Sequence, residues 1–268
     1  LGGETAPFLG DGYFRNETGY FTENGGRVSM NGDISYGTQN IRGAGDFGSL
    51  EINTNANIAL LHNDITLTDY LYLTKGTILN DADDVNPRAS SFNVNFVNST
   101  TPPTIVRNEG DFAEPPIFTN MVNVIYIGSD KYAGFEVPTS TNKLNNYSVE
   151  TTNGINCPGH GTIILQQNTW VNGTLNINEN QAFVIDNGFA LHINGPTVTL
   201  AGDLVSLGSG LLVLHYPTGT TFTGPGALPS IRVAAGSNGT FIDGSVGLAE
   251  DLYGPDGWQC SGDEPLTS

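Results

Sequence analysis

The segment FGSLEINTNANIAL at residues 47–60 recurs 97 positions later (144 − 47 = 97) as LNNYSVETTNGINC at residues 144–157. The two copies share the placement of their apolar residues: Phe47, Leu50, Ile52, Ile58 and Leu60 fall on Leu144, Tyr147, Val149, Ile155 and Cys157. At the same offset, Gly76, Thr77 and Ile78 fall on Gly173, Thr174 and Leu175. Apolar positions that keep one offset while polar positions vary indicate a shared inward face, as in the stacked repeats of a solenoid.

Short apolar runs with a period of two recur along the chain, and this period is typical of β-strands. From about residue 45 to 240 the runs are separated by Gly, Asn, Asp or Pro, without a helical period. The clearest runs are Ile65, Leu67, Leu71 and Leu73; Val122, Val124 and Tyr126; Phe183 and Ile185; Leu191 and Ile193; and Leu211, Val213 and His215. The region is therefore predicted to be all-β.

A right-handed parallel β-helix fits these strands better than a sandwich or barrel, which seldom needs so long a repeat. Coils of roughly 20 to 25 residues would stack on one another. Gly at the turns Asn153-Gly154, Asn172-Gly173, Asn187-Gly188 and Asn194-Gly195 is predicted to supply positive φ angles. An Asn-Gly pair also suits a two-residue hairpin, so the turns do not decide between the two architectures.

The two ends of the chain differ from its middle. We expect an N-terminal cap or docking segment at 1–27, a parallel β-helix at 28–244, and a C-terminal tail, cap or docking segment at 245–268. The ends of a solenoid expose open β-edges, which aromatic segments could cover or could dock on a neighbouring subunit. The candidate docking residues are Phe8, Tyr13, Phe14, Tyr20, Phe21, Tyr253 and Trp258.

Composition limits the partners. Nine Lys and Arg against 27 Asp and Glu give a net charge of −18, which argues against binding to nucleic acid phosphates or to an anionic membrane surface. No run of 18 apolar residues is present, so membrane insertion through a helix is not expected. Only 13% of residues are charged, and the neutral polar character favours an extracellular or cell-surface location.

Two further features of the sequence concern a possible ion site and a possible disulfide. The loop NDADDVN at 80–86 offers oxygen ligands from Asn80, Asp81, Asp83 and Asp84, a weak candidate for structural Ca²⁺, although it lacks the Gly and closing Glu of an EF-hand. No other cofactor is expected. Cys157 and Cys260 could form a disulfide that ties the tail to the body, or Cys157 could be a buried free thiol in the place of Leu60.

No motif for catalysis is present, and we do not expect an enzyme. The histidines His62, His160, His192 and His215 have no metal-binding spacing and are interpreted as surface or hydrogen-bonded residues. The carboxylates Asp46, Asp64, Asp69, Asp111, Asp130, Asp186 and Asp203 are scattered singly, whereas sugar cleavage needs clustered ones. Tyr70 and Tyr72 project from one face of a strand and could form a glycan-binding strip, or simply pack on the sheet.

The segment NGDISYGTQNIRGAGDFGSLEINTNANIALLHNDITLTDYLYLTKGTILN at 31–80 resembles repeats in large secreted surface proteins of Bacteroidetes and related bacteria. The matching positions are Gln39, Ile41, Gly43, Phe47, Leu50, Ile52, Asn53, Ile58, Leu60, Leu71, Leu73, Thr74 and Gly76. Residues 104–112, 122–130 and 135–157 resemble a second element of these proteins. The resemblance covers about residues 28–215. It implies export, often by the type IX pathway, and a parallel β-helix acting in adhesion or as extracellular scaffold, without catalytic residues.

These observations together predict a secreted structural β-solenoid, either a filament subunit or the rod module of a surface adhesin. Its partners would be other copies of itself or neighbouring modules, and glycans as a further class. The alternative is a β-helix that binds or cleaves carbohydrate.

Overall fold

The computed structural model describes residues 13–15, 26–32, 39–42, 45–55, 58–61, 64–79, 93–97, 100–153, 161–216, 219–229, 231–233, 240–242 and 247–248. Throughout these residues the regular secondary structure is β-strand, and the strand pairs are parallel. The protein is a parallel β-solenoid, as the sequence predicted. Its chain divides into an N-terminal unit, Leu1–Asn120, and a C-terminal unit, Met121–Ser268.

The strands of the N-terminal unit form two parallel sheets. In chain order they are β1 (Tyr13–Arg15), β2 (Arg27–Gly32), β3 (Gln39–Arg42), β4 (Gly45–Thr54), β5 (Ile58–Leu61), β6 (Ile65–Lys75), β7 (Thr77–Leu79), β8 (Val94–Phe96), β9 (Thr104–Arg107), β10 (Asp111–Phe112) and β11 (Ile117–Phe118). One sheet has the order β1-β3-β5-β7-β10. In the other, β4 lies between β2 and β6, β6 pairs with both β8 and β9, and β8 pairs with β11.

The C-terminal unit repeats a shorter set of strands in each coil. These are β12 (Val122–Ser129), β13 (Lys131–Tyr132), β14 (Leu144–Asn153), β15 (Gly161–Leu165), β16 (Thr169–Val171), β17 (Thr174–Ile177), β18 (Gln181–Ile185), β19 (Ala190–Ile193), β20 (Thr197–Leu200), β21 (Asp203–Ser206), β22 (Leu211–Leu214), β23 (Thr220–Thr223), β24 (Ala227–Leu228), β25 (Ile231–Val233), β26 (Thr240–Ile242) and β27 (Gly247–Leu248). They stack as the ladders β16-β19-β22-β25, β14-β17-β20-β23-β26 and β13-β15-β18-β21, while β12 pairs with β14, β14 also pairs with β16, and β24 pairs with β27.

Register pairs give the length of a coil. Leu191 pairs with Leu212 (212 − 191 = 21), and Val198 pairs with Phe222 (222 − 198 = 24). The prediction of roughly 20 to 25 residues per coil is confirmed for these turns. Side chains in register on neighbouring parallel strands lie directly above one another, so each coil presents the same face to the interior.

The inward positions of the repeated segment form the core. Phe47, Leu50 and Ile52 in β4 are buried, and the corresponding residues of β14 are buried as well. Full burial of such a side chain contributes about 1.5 to 3 kcal/mol to folding. The inward residues Phe47 and Leu50 of β4 are three positions apart, whereas their partners Leu67 and Leu71 in β6 are four apart, so the register shifts by one residue between them. Because side chains alternate along a strand, the irregularity at this point lets both Phe47 and Leu50 face inward.

Two parts of the predicted pattern are wrong. The sequence pattern grouped Leu211, Val213 and His215 as one alternating run, but the residues of β22 in register with the buried Leu191 and Ile193 are Leu212 and Leu214. Leu211 is 41% exposed, whereas Val213 is buried as well. A shift of one residue exchanges the two faces of a strand, and a run of consecutive apolar residues does not reveal which face is inward.

The 97-residue correspondence extends along β4 and β14 but fails at the Gly-Thr-apolar step, while its positions Ile155 and Cys157 lie outside the described residues. Ile78 pairs with Ile58 in the sheet of β5, whereas Leu175 pairs with Tyr147 in the sheet of β14. The two copies therefore coincide along β4 and β14 but place the following Gly-Thr-apolar step in different sheets.

Glycine at the turns has two distinct roles. Gly188 has φ +85°, which confirms the prediction of positive φ. Gly173 and Gly195 do not adopt positive φ, so the prediction is wrong there. A Cβ on Gly195 would lie 1.7 Å from the carbonyl oxygen of Gly173, and one on Gly173 would lie 2.2 Å from Oδ1 of Asn146. Gly195 is needed because the backbone of the preceding coil approaches too closely for a side chain, whereas at Gly173 the nearest atom is the amide end of a side chain, which can move.

Candidate functional site

A tyrosine pair lies on the outward side of the N-terminal unit, as the strand period predicted. The rings of Tyr70 and Tyr72 are stacked, with centroids 5.5 Å apart and planes inclined by 17°. Tyr70 is 36% exposed. The guanidinium carbon of Arg27 lies 4.9 Å from the centroid of Tyr72, and Arg27 Nε lies 3.5 Å from Oε2 of Glu51. We call these four residues the tyrosine face.

The carboxylate of the tyrosine face is held by hydroxyl groups from two sides. Ser29 Oγ donates to Oε2 of Glu51 over 2.9 Å, and Thr74 Oγ1 donates to Oε1 over 3.1 Å. Ser29 lies on β2 and Thr74 on β6, which flank β4. An exposed aromatic ring beside an oriented carboxylate and a guanidinium can stack on the apolar side of a sugar ring and hydrogen-bond its hydroxyls.

The C-terminal unit carries a second outward cluster, the imidazole stack of Trp170, His192 and His215. Trp170 and His192 are stacked in parallel, with centroids 4.5 Å apart and planes inclined by 4°. Nδ1 of His192 lies 2.8 Å from Nε2 of His215, so one ring donates a hydrogen bond to the other. Burial, and then the charge of His215, lower the pKa of His192 below its usual value.

Sequence spacing concealed this cluster because 23 residues separate the two histidines. The prediction that His192 and His215 are hydrogen-bonded coil residues is confirmed, but their mutual contact was missed. The available signal was their separation, since 23 residues is two more than the coil length of 21 residues (212 − 191) between β19 and β22. His62 and His160 lie outside the described residues.

Most of the carboxylates singled out in the sequence join one coil to the next. Asp64, Asp130 and Asp203 each accept a backbone N–H bond of 2.6 Å, from Asn93, Thr162 and Ala227 respectively. Asp186 accepts a bond of 2.8 Å from Gln166 Nε2, Asp46 and Asp69 are exposed, and Asp111 is half-buried. Within the described part of the chain, no three His, Cys, Asp or Glu side chains group as metal ligands.

One cleft brings two carboxylates together. A cleft of about 490 Å³ in the C-terminal unit is lined by residues that include Glu179, Gln181 and Asp203. One oxygen of Asp203 is already bonded to the N–H of Ala227. Glu179 was not singled out in the sequence, although it precedes Asp203 by one coil length (203 − 179 = 24).

A carboxyl group in the core was also missed. Glu136 is fully buried, and its Oε1 accepts hydrogen bonds from Tyr126 OH and from the N–H of Gly134, the latter over 2.8 Å. Such bonds stabilise a buried polar group that would otherwise be costly to desolvate. Its apolar neighbours in sequence, Phe135 and Val137, give no signal of this role.

Several predicted sites fall outside the described residues. These are the Ca²⁺ candidates Asn80, Asp81, Asp83 and Asp84, the cysteines Cys157 and Cys260, and the docking candidates Phe8, Tyr20, Phe21, Tyr253 and Trp258. Tyr13 and Phe14 lie in β1, which pairs in parallel with β3. The backbone of part of the predicted N-terminal segment is thus a strand of the solenoid.

Comparisons with protein-family models, with curated proteins and with solved structures found no match for this chain. The resemblance to bacterial surface proteins therefore stays a prediction from the residue pattern. A search of the described residues found no helix with the length and apolar character needed to cross a bilayer. The molecule is defined by its class, an all-β parallel solenoid, and by its two outward clusters.

Proposed function

We propose that this chain is a structural β-solenoid of the cell exterior, a filament subunit or the rod module of a surface adhesin, and that it does not turn over substrate. The observation that carries this proposal is the use of its polar side chains. They bond across the distance of one coil, which ties neighbouring coils within each unit together.

The asparagine residues give the clearest example. Asn145 Nδ2 donates to Asn123 Oδ1 over 2.9 Å, and Asn194 Nδ2 donates to Asn172 Oδ1 over 3.0 Å, each across 22 residues. Such side-chain ladders are the lateral supports of stacked parallel strands.

Electron microscopy of the full chain, with and without EDTA, tests the proposal. Uniform fibres support a filament subunit, and their loss in EDTA would implicate bound cations. Discrete rods support an adhesin module. Turnover of a polysaccharide from a panel, abolished by Glu179→Gln in a folded protein, would contradict a purely structural role.

The docking role of the termini has its own test. Deletion of residues 1–12 or 249–268 removes none of the described strands, which begin at Tyr13 and end at Leu248. If the termini dock on neighbouring molecules, these truncated chains stay folded by circular dichroism but no longer form fibres. If they unfold, the termini act as caps, and assembly through them loses its support.

A second candidate function is carbohydrate binding at the tyrosine face, favoured by the exposed ring of Tyr70 beside Glu51 and Arg27. A glycan array with the wild-type protein would identify the ligand. Tyr70→Ala should then weaken binding, whereas Tyr132→Ala, at another exposed tyrosine, should not. Equal affinity of the two variants would remove this candidate.

A further inference from the structure

The two histidines of the imidazole stack bring imidazole nitrogens from neighbouring coils to one point. His192 lies on β19, and His215 directly follows β22, its partner strand. Nδ1 of His192 and Nε2 of His215 are 2.8 Å apart. Both side chains are half-buried, so the pair is reachable from solvent.

This separation matches a particular coordination geometry. With metal–nitrogen bonds of about 2.0 Å, adjacent nitrogens of a square-planar ion are about 2.8 Å apart, whereas those of a tetrahedral ion are about 3.3 Å apart. The square-planar or tetragonal arrangement with N and O ligands is typical of Cu(II) and Ni(II). For an ion to enter, the proton shared by the two rings must pass to another ring nitrogen or to solvent, and both rings must turn so that their lone pairs converge on the ion.

We propose that His192 and His215 form a binding site for a divalent transition-metal ion of square-planar preference, Cu(II) above all, which bridges two coils. Cu(II) is favoured because it binds nitrogen ligands more tightly than the other first-row divalent ions. Trp170 supports the site because its parallel stack on His192 restricts rotation of that ring. Groups around a ligand that fix its orientation strengthen metal binding.

The remaining coordination positions are open to water or to a ligand from another molecule. Among the described residues no group of three potential side-chain ligands exists, so the two imidazole nitrogens are the ligands that the described residues supply. With only two such ligands, the site is suited to an ion that binds and dissociates readily. Its occupation would join the two coils at this point and stabilise the folded C-terminal unit by mass action.

Titration of the full-length protein with Cu(II), in the presence of citrate as a competing oxygen-donor chelator that keeps the ion off weaker sites, tests this inference. Electron paramagnetic resonance should show a tetragonal Cu(II) signal with hyperfine coupling to two nitrogen nuclei. In a Trp258→Phe background, the bound ion should quench the fluorescence of Trp170. The apparent melting temperature should rise with one equivalent of Cu(II).

Two sets of variants give the comparison. His192→Gln and His215→Gln should each raise the Kd at least about tenfold, since even a lost supporting group costs that much. The double variant His62→Gln/His160→Gln removes the other two histidines of the chain and should leave the affinity unchanged. Circular dichroism confirms that each variant is folded. Unchanged affinity in His192→Gln or His215→Gln, or a signal from one nitrogen only, would overturn the assignment.

Discussion

Replacing Gly195 by alanine is the sharpest test of how tightly the coils are stacked. The added Cβ would lie 1.7 Å from the carbonyl oxygen of Gly173 and 2.7 Å from its carbonyl carbon. Both atoms belong to the backbone, so no rotamer change relieves the contact. Real Cβ atoms stay at least 3.0 Å from such neighbours, and the coils must separate locally by about 1.3 Å (3.0 − 1.7).

The cost follows from that separation. The adjacent hydrogen bond, from Asn194 N to Val171 O, is 2.8 Å long, and an increase of this size would break it, at about 1 kcal/mol. Overpacking adds about 1 to 3 kcal/mol. The lower entropy of the unfolded chain returns about 0.4 to 1 kcal/mol. We therefore expect Gly195→Ala to lower the free energy of unfolding by about 1 to 3.6 kcal/mol, with a central value of about 2 kcal/mol.

Urea unfolding followed by Trp170 fluorescence, in a Trp258→Phe background, measures this change in the C-terminal unit. Gly188→Ala is the matched control, because a Cβ there meets nothing within 4 Å and only the positive φ of +85° is strained. Its expected cost is about 1 to 2 kcal/mol. A change below about 0.5 kcal/mol for Gly195→Ala, or a larger loss for Gly188→Ala, would refute the reasoning.

Three further predictions concern polar side chains. Tyr126→Phe removes a hydrogen bond to the buried carboxyl group of Glu136, and calorimetry should show that the free energy of unfolding falls by about 1 to 3 kcal/mol. The same substitution should cost much less in a protein that already carries Glu136→Leu. The pKa of His192 is lower in the folded state than in the unfolded state, so the unfolded state binds more protons as the pH falls below about 6.5. The free energy of unfolding, measured with urea, should therefore decrease with falling pH until the pH has passed the folded pKa. The decrease should be smaller in His192→Gln. Asp203→Ala removes the acceptor for the N–H of Ala227 and should cost about 1 kcal/mol in the same assay.

Each of these has a result that contradicts it. Additive losses from Tyr126 and Glu136 would mean that the two side chains act independently. A pH profile that is identical in wild type and His192→Gln would show that the histidine titrates alike in both states. Asp203→Asn keeps an acceptor oxygen, so an equal loss in Asp203→Asn and Asp203→Ala would indicate that the bond to Ala227 is not the cause.

The cleft around Glu179 and the tyrosine face are two groupings of residues that could not be predicted from the sequence. Glu51 and Tyr72 are in register on neighbouring strands, yet nothing in either segment states that register. Coil length varies from 19 residues (231 − 212, from Leu212 to Ile231) to 34 (105 − 71, from Leu71 to Ile105), because some turns carry long insertions. Residues that become neighbours on the outward face therefore have no fixed separation in the chain.

The sequence by itself determined the inward face wherever apolar and polar residues alternate. A period of two and a repeat of apolar positions predicted the strands, the solenoid and the burial of Phe47, Leu50 and Ile52, because burial of apolar area is specified locally by the alternation of side chains. Only the tertiary structure decided the lateral partners: the His192–His215 contact, the buried Glu136, and glycine as a spacer at residue 195. Those depend on strand register and on the distance between coils, which the whole stack sets and no single segment encodes.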